Sequence, residues 1–207
     1  MVADQGERQA PIAASGPAGV VLAGGKSSRM GRDKASLRWD DSDLLHTVLD
    51  RLAAVCPELI VVSNVPRALK RRGVLVVSDS YPGCGPLAGI HAGLLAMGAE
   101  YGFFAACDMP FLSSAAIARI VDAAAGWDAA VPYIDGYYHP LHAVYHKRCL
   151  PHIEQILAAG DYRVLSFYPQ VRLRRISVDE LRPADPDLRT LCNINTPEEL
   201  ATARLER

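Results

Sequence analysis

Short apolar runs, each closed by turn residues, alternate along this chain with longer segments of helical periodicity. Ala18 to Ala23 is a continuous small and apolar run ending at two glycines, and reads as a buried strand. Leu44 to Val55 places Leu45, Val48, Leu49 and Leu52 on one helical face. Leu59 to Val62 and Leu75 to Val77 read as a second and third strand, and Leu87 to Met97 as a small-residue helix after a Gly-Pro-rich loop. Tyr101 to Cys107 is a fourth strand, followed by a helix from about Ser114 to Ala125. Beyond it, "DAAVPYIDGYYHPLHAVYHK" suggests two strands around an Asp-Gly turn, then a helix from about Cys149 to Ala158. "VRLRRI" alternates like an edge strand. Pro197 to Arg204 closes the chain as a helix, with Thr196 as N-cap and Pro197 at its first position.

Strand and helix in alternation predict an α/β fold with a mostly parallel sheet covered on both faces. At 207 residues, half of them hydrophobic, the chain is long enough for one domain with a sizeable core. We expect residues 18–207 to form it, with residues 1–17 as a loose polar tail lacking the apolar run of a signal peptide. The formal net charge of -1 gives no global field for nucleic acid or an anionic membrane, so neither is an expected partner. No run is long enough to span a bilayer, and five scattered cysteines without a C-x-x-C pair argue against a zinc site or a disulfide framework. Those features fit a cytoplasmic protein.

Any phosphate binding must therefore come from a local cluster, and "LAGGKSSRMGRDK" supplies one. It is not the ATPase loop G-x-x-x-x-G-K-S/T, because Val20 stands where the first glycine is required. Nor is it G-x-G-x-x-G, because Gly24 and Gly25 are adjacent. What remains is a strand, two glycines that let backbone N–H groups approach a ligand, and the cations Lys26, Arg29, Arg32 and Lys34. Such a group can surround a triphosphate and neutralise a leaving pyrophosphate. The competing reading is a basic surface loop whose glycines serve only a turn, and Lys26 and Arg32 are equally well read as solvated charges.

The order L-A-G-G-x-S-x-R-M-G-x-D-K resembles the signature loop of nucleotidyltransferases that build sugar nucleotides and cofactor dinucleotides. Together with "SDSYPGCGPLAGI", "AACDMPF" and "NINTPEEL", it makes the chain similar to the molybdenum cofactor guanylyltransferase family from about Val20 onward. The resemblance implies a single Rossmann-like, mostly parallel twisted sheet of the nucleotide-diphospho-sugar transferase (GT-A-like) kind. It implies transfer of GMP from GTP to the phosphate of molybdopterin (Mo-molybdopterin), with Mg²⁺ as cofactor and pyrophosphate released. Transient contact with molybdoenzymes or their chaperones would follow. A cytidylyltransferase of the same cofactor is the near alternative; "LAGG" and "GPLAG" favour GTP. A sugar-phosphate nucleotidyltransferase and a non-catalytic nucleotide-binding module are more remote.

The resemblance assigns roles residue by residue. The backbone of Leu22, Ala23 and Gly24 would border guanine and ribose, Gly25 would also bind the nucleotide, and Lys34 and Arg29 would contact the phosphates. Asp108, at the carboxyl end of the fourth strand, would hold Mg²⁺; a helix cap is its competing reading. Asp79 matches a nucleotide-binding aspartate, against a plain turn former. Ser63 and Asn64 end the second strand, where they could touch the base. Asn193 and Asn195 are not needed to start the last helix and would aid metal or acceptor binding. His139 would lie near the acceptor pocket, and Arg163 would bind the pterin phosphate on position and charge alone. Tyr137 and Tyr138 could stack on the pterin or simply be half-buried strand tyrosines. His139, His142 and His146 invite a metal reading, but on one strand His139 and His142 would face opposite ways. The acidic "WDDSD" before the first helix and the polar tail depart from the family pattern.

Overall fold

A computed structural model describes residues 16–24, 34–67 and 69–205. In chain order the elements are β1 (Ala18–Leu22), β2 (Arg38–Trp39), β3 (Ser42–Asp43), α1 (Leu44–Ala53), β4 (Glu58–Val62), β5 (Val74–Val77) and α2 (Pro86–Ala96). They continue as β6 (Tyr101–Ala106), α3 (Ser114–Ala123), β7 (Ala129–Ile134), β8 (Tyr137–Tyr138), β9 (His142–His146), α4 (Leu150–Ala158), β10 (Leu173–Ile176), α5 (Val178–Leu181) and α6 (Pro197–Leu205). The main sheet runs β10-β7-β9-β6-β1-β4-β5, with β8 paired to β7. β1 lies parallel to both β4 and β6, β5 is parallel to β4, and β10 is parallel to β7. On that path only β9 runs against its neighbours.

Alternation along each strand builds two cores. Val21, Val61, Phe103, Ala105 and Ala130 face α1 and α3, whereas Val20, Ile60, Phe104, Val131 and Tyr145 face α2 and α4. α2 is apolar on nearly every side because it lies between the sheet and α4. It enters through Gly85, whose φ of 75° a side chain would strain, and Pro86 at the first turn. α1 starts on the Asp43 carboxylate, which accepts from the His46 N–H at 2.9 Å. A third, smaller core joins Trp39 and Leu44 to Ile194, Leu200 and Ala203, and so pins the last helix beside the first.

The chain order fixes where a ligand can sit. From β1 the connections step outward through β4 to β5, then α2 carries the chain back to β6 on the other side of β1. The carboxyl ends of β1, β4 and β6 therefore frame a switch point, the usual ligand crevice of such sheets.

The predicted elements are present, "VRLRRI" as the edge strand β10 and Thr196 as the α6 cap, accepting from the Glu199 N–H at 3.1 Å. Four features differ from expectation. The segment read as two strands around the Asp-Gly turn forms three, β7, β8 and β9. The acidic "WDDSD" is the turn of the β2–β3 hairpin, with Asp40 at φ 51° and Asp43 spent as the α1 cap. α5 was not anticipated; it is a single turn built on a Ser177–Glu180 capping box. His139 lies in the turn before β9 rather than on a strand, so the opposite-faces argument does not apply to it. His142 and His146 begin and end β9 on one face, each with its ring edge-on to an aromatic of β6, Phe103 and Tyr101. Residues 1–15 of the expected tail, together with Gly25, Lys26, Arg29 and Arg32, lie outside the described residues.

Candidate active site

The first part of the site is a cleft of about 330 Å³ over the ends of β1, β4 and β5. Leu22, Gly24, Val62, Ser63, Asn64, Asp79, Gly83, Gly85 and Gly89 line it. Asn64 and Asp79 hold each other: the Asn64 amide donates to Asp79 Oδ2 at 2.6 Å, and the Asp79 N–H donates to Asn64 Oδ1 at 3.0 Å. Asp79 Oδ1 also accepts from the Tyr81 N–H at 3.0 Å, so this aspartate is a turn former and a cleft wall at once.

Ser63 lines the cleft, and its hydroxyl is engaged within the protein. Its hydroxyl donates to the Val65 carbonyl at 2.9 Å and accepts from the Val65 N–H at 3.3 Å and Arg67 Nε at 2.9 Å. One donor and two lone pairs are thereby used within the protein. The backbone of Ala23 is engaged too. Its N–H donates to the Val62 carbonyl at 2.9 Å, and its carbonyl accepts from Arg67 Nη2 at 2.7 Å.

The second part lies across β1, at the end of β6. Lys34 Nζ donates to Asp108 Oδ2 at 2.9 Å and to Asn195 Oδ1 at 3.0 Å, and Asn193 Nδ2 donates to Asp108 Oδ1 at 3.1 Å. The two parts meet through the backbone, where the Cys107 N–H donates to the Leu22 carbonyl at 3.2 Å. Asn193 reaches Asp108, and Asn195 reaches Lys34, for a local reason. Ile194 between them is buried in the third core and its N–H donates to the Asp108 carbonyl at 2.9 Å, which turns its neighbours outward. Glu199 then fixes Asn195 by accepting its N–H at 2.6 Å.

Other expected residues sit elsewhere. His139 is half-buried; burial pushes its imidazole pKa below the usual value, with Asp135 pulling the other way. Arg163 is exposed and clamped by Asp161 at 2.7 Å, and no contact among the described residues joins it to Lys34 or Asp108. Its neighbour Tyr162 has its pKa raised by Cys84. Tyr138 is tied to Arg175 Nε at 2.7 Å and packs edge-on against Tyr168. Sequence reasoning missed Arg67, which lies in a basic stretch with no motif to mark it. It also missed the buried pair of His142 and Thr190, whose side chains meet at 3.3 Å behind the asparagine segment.

A glycine-lined cleft and a lysine–carboxylate pair at the switch point of a mostly parallel sheet are the marks of an α/β nucleotidyltransferase. The family model of the "MobA-like NTP transferase domain" matches residues 19–175. A molybdenum cofactor guanylyltransferase of Desulfosudis oleivorans is 39% identical over 187 residues, covering 89% of this chain and 93% of that protein. The crystal structure of molybdopterin-guanine dinucleotide biosynthesis protein A from Archaeoglobus fulgidus superposes with a TM-score of 0.78 at 28% identity, covering 91% and 97% of the two chains. A Mycobacterium tuberculosis H37Rv protein solved in complex with manganese shares the fold at 20% identity and a TM-score of 0.56, covering 80% and 89%. The chain belongs to the molybdenum cofactor guanylyltransferase family, within the MobA-like NTP transferases. Among the described residues no helix is long and apolar enough to cross a membrane.

Proposed function

We propose that this chain transfers GMP from GTP to the phosphate of molybdopterin, forming molybdopterin guanine dinucleotide and pyrophosphate. The observation that carries the reading is the convergence of Lys34, Asp108 and Asn195, at 2.9 and 3.0 Å, beside the glycine-lined cleft. In the reaction an oxygen of the acceptor phosphate bonds to the α-phosphorus of GTP. The bridge between the α- and β-phosphates breaks, and its electron pair leaves on pyrophosphate. The attacking phosphate brings its own charge, so no protein base is required; alignment and neutralisation are.

The cleft takes guanine and ribose against Leu22, Gly24, Asn64, Asp79 and the Gly83–Gly85 turn. The triphosphate then passes over the end of β1 toward Lys34, whose ammonium neutralises phosphate charge. Arg29 belongs with Lys34 in this reading on resemblance. Asp108 with the two carboxamides is a hard-oxygen donor set, which suits Mg²⁺; such an ion is commonly held by one or two carboxylates plus substrate phosphates. Held there by Asp108 and the asparagine carboxamides, Mg²⁺ would supply charge neutralisation for the phosphates. Asn193, Asn195, His139 and Arg163 are the residues offered to the acceptor.

The test is turnover of purified protein with molybdopterin, Mg²⁺ and each nucleoside triphosphate in separate reactions, reading dinucleotide and pyrophosphate. GTP is expected to be consumed in preference, EDTA to stop the reaction, and Asp108→Ala to lose nearly all turnover while remaining folded. Preferential use of CTP would reassign the base, and full activity of Asp108→Ala would remove the metal role.

A further inference from the structure

Arg67 is the one guanidinium among the described residues seen to reach the β1 turn, and neither a motif nor the chemistry of the reaction calls for it. Its fork spans two elements: Nη2 donates to the Ala23 carbonyl at 2.7 Å, and Nε donates to Ser63 Oγ at 2.9 Å. Ala23 follows β1 and Ser63 follows β4, so one side chain ties together the two strand ends that frame the cleft. The Ser63 hydroxyl is held from the other side by Val65, which leaves it a single orientation in which to receive Nε.

We infer that Arg67 is a positioning residue for the nucleotide, acting through the peptide between Ala23 and Gly24. That peptide is planar and trans, so its carbonyl and its N–H point in opposite directions. By drawing the Ala23 carbonyl toward itself, Arg67 turns the Gly24 N–H the other way. Gly24 lines the cleft; among the described residues a Cβ there would meet nothing within 4 Å, and its N–H has no protein acceptor. The Ala23 N–H is already given to Val62, so Gly24 offers the first backbone donor after β1 that a ligand can use. Arg67 fixes that donor before the ligand arrives, and binding then pays less to order it.

Geometry and charge can be told apart at this position. A lysine at position 67 would keep the positive charge but could not present Nε and Nη2 to two acceptors in fixed directions. If Arg67 worked by attracting the triphosphate, lysine would serve. If it works by aiming the Gly24 N–H, lysine fails nearly as badly as alanine.

The inference rests on the cleft being the nucleotide site, and the experiment keeps the two apart. Binding of GTP to the full chain is measured by calorimetry for wild type, Arg67→Lys, Arg67→Ala and Ser63→Ala, together with melting temperature and the KM of each substrate. Wild type that fails to bind GTP overturns the nucleotide reading itself. Given wild-type binding, both Arg67 variants are expected to lose at least about tenfold in GTP affinity, the scale of one hydrogen bond to a charged group. KM for GTP should rise more than kcat falls, with the acceptor KM unchanged. Ser63→Ala, which removes one of the two anchors and no charge, is expected to show a smaller loss in the same direction. It carries the test if Arg67→Ala does not fold. Wild-type affinity in Arg67→Lys, or in every folded variant, overturns the inference, as does an equal rise in both KM values.

Discussion

Lys34 and Asp108 bring opposite charges to 2.9 Å with side chains only 18% and 12% exposed. A pair that deep has lost much of its hydration, so removing either partner leaves the other charge poorly compensated. At this scale the expected outcome is specific. Lys34→Ala should lower kcat/KM for GTP on the order of 10²-fold or more, the scale of removing one preorganised charge-stabilising donor. Steady-state kinetics with GTP varied at saturating acceptor check this, and unchanged values would remove Lys34 from the phosphate site. Two cleft residues are also engaged within the protein itself. Asp79 is both turn and wall, while Ser63 spends its hydroxyl inside the protein.

At the scale of elements, α2 shows how closely a helix can be set on this sheet. A Cβ on Gly93 would lie 2.7 Å from both Phe104 Cε1 and Val20 Cγ1, and both neighbours are fully buried. Replacing glycine in a helix normally gains about 1 kcal/mol when alanine is introduced and less for β-branched valine, but forcing extra atoms into a packed core costs about 1–3 kcal/mol. Gly93→Val is therefore expected to be net destabilising in urea unfolding, despite the better helix propensity of the new residue. A second element-level joint is Asp128, which binds Arg172 beside β10 at 3.1 Å and Arg148 beside α4 at 3.0 Å. Burial works to raise its pKa, yet the hydrogen bonds and charge of Arg172, with Arg148, hold it down at about 2. A carboxylate depressed in the folded state stabilises above its unfolded value and loses that contribution as the pH falls through its folded value. Asp128→Asn should thus melt below wild type at neutral pH, and the gap should close as the pH falls from about 4 to about 2. A gap that stays constant across that range would deny the joint its ionic character.

At the scale of the whole molecule, the site depends on a core far smaller than the two that cover the sheet. Trp39 on the hairpin, edge-on to Phe111 with ring centroids 5.4 Å apart, shares the third cluster with Ile194 and Leu200. That cluster holds the segment carrying Asn193 and Asn195 against Asp108. Trp39→Ala should cost about 3–5 kcal/mol of local packing. It should also reduce turnover more than nucleotide affinity, because the cleft of Leu22, Gly24 and Asp79 stands on other strands. Hydrogen exchange would show faster opening confined to α6 and the β2–β3 hairpin. Equal loosening of β1 and β6 would contradict that separation.

The amino-acid order alone determined the longer strands and helices, though not the β2–β3 hairpin or α5, because burial on one face or two writes its period directly into neighbouring positions. It also determined the four stretches that mark the family, and the start of α6 at Thr196 and Pro197, since caps and glycine turns are local chemistry. It could not reveal that Lys34 meets Asp108 and Asn195, residues 74 and 161 positions away. Those meetings follow from the sheet order, which returns β6 to the side of β1, and from Ile194 sinking into a core it shares with Trp39. Arg67 was illegible for the same reason. A guanidinium in a basic stretch looks like solvent-facing charge until the fold sets a strand-end carbonyl and a serine hydroxyl within reach of its fork.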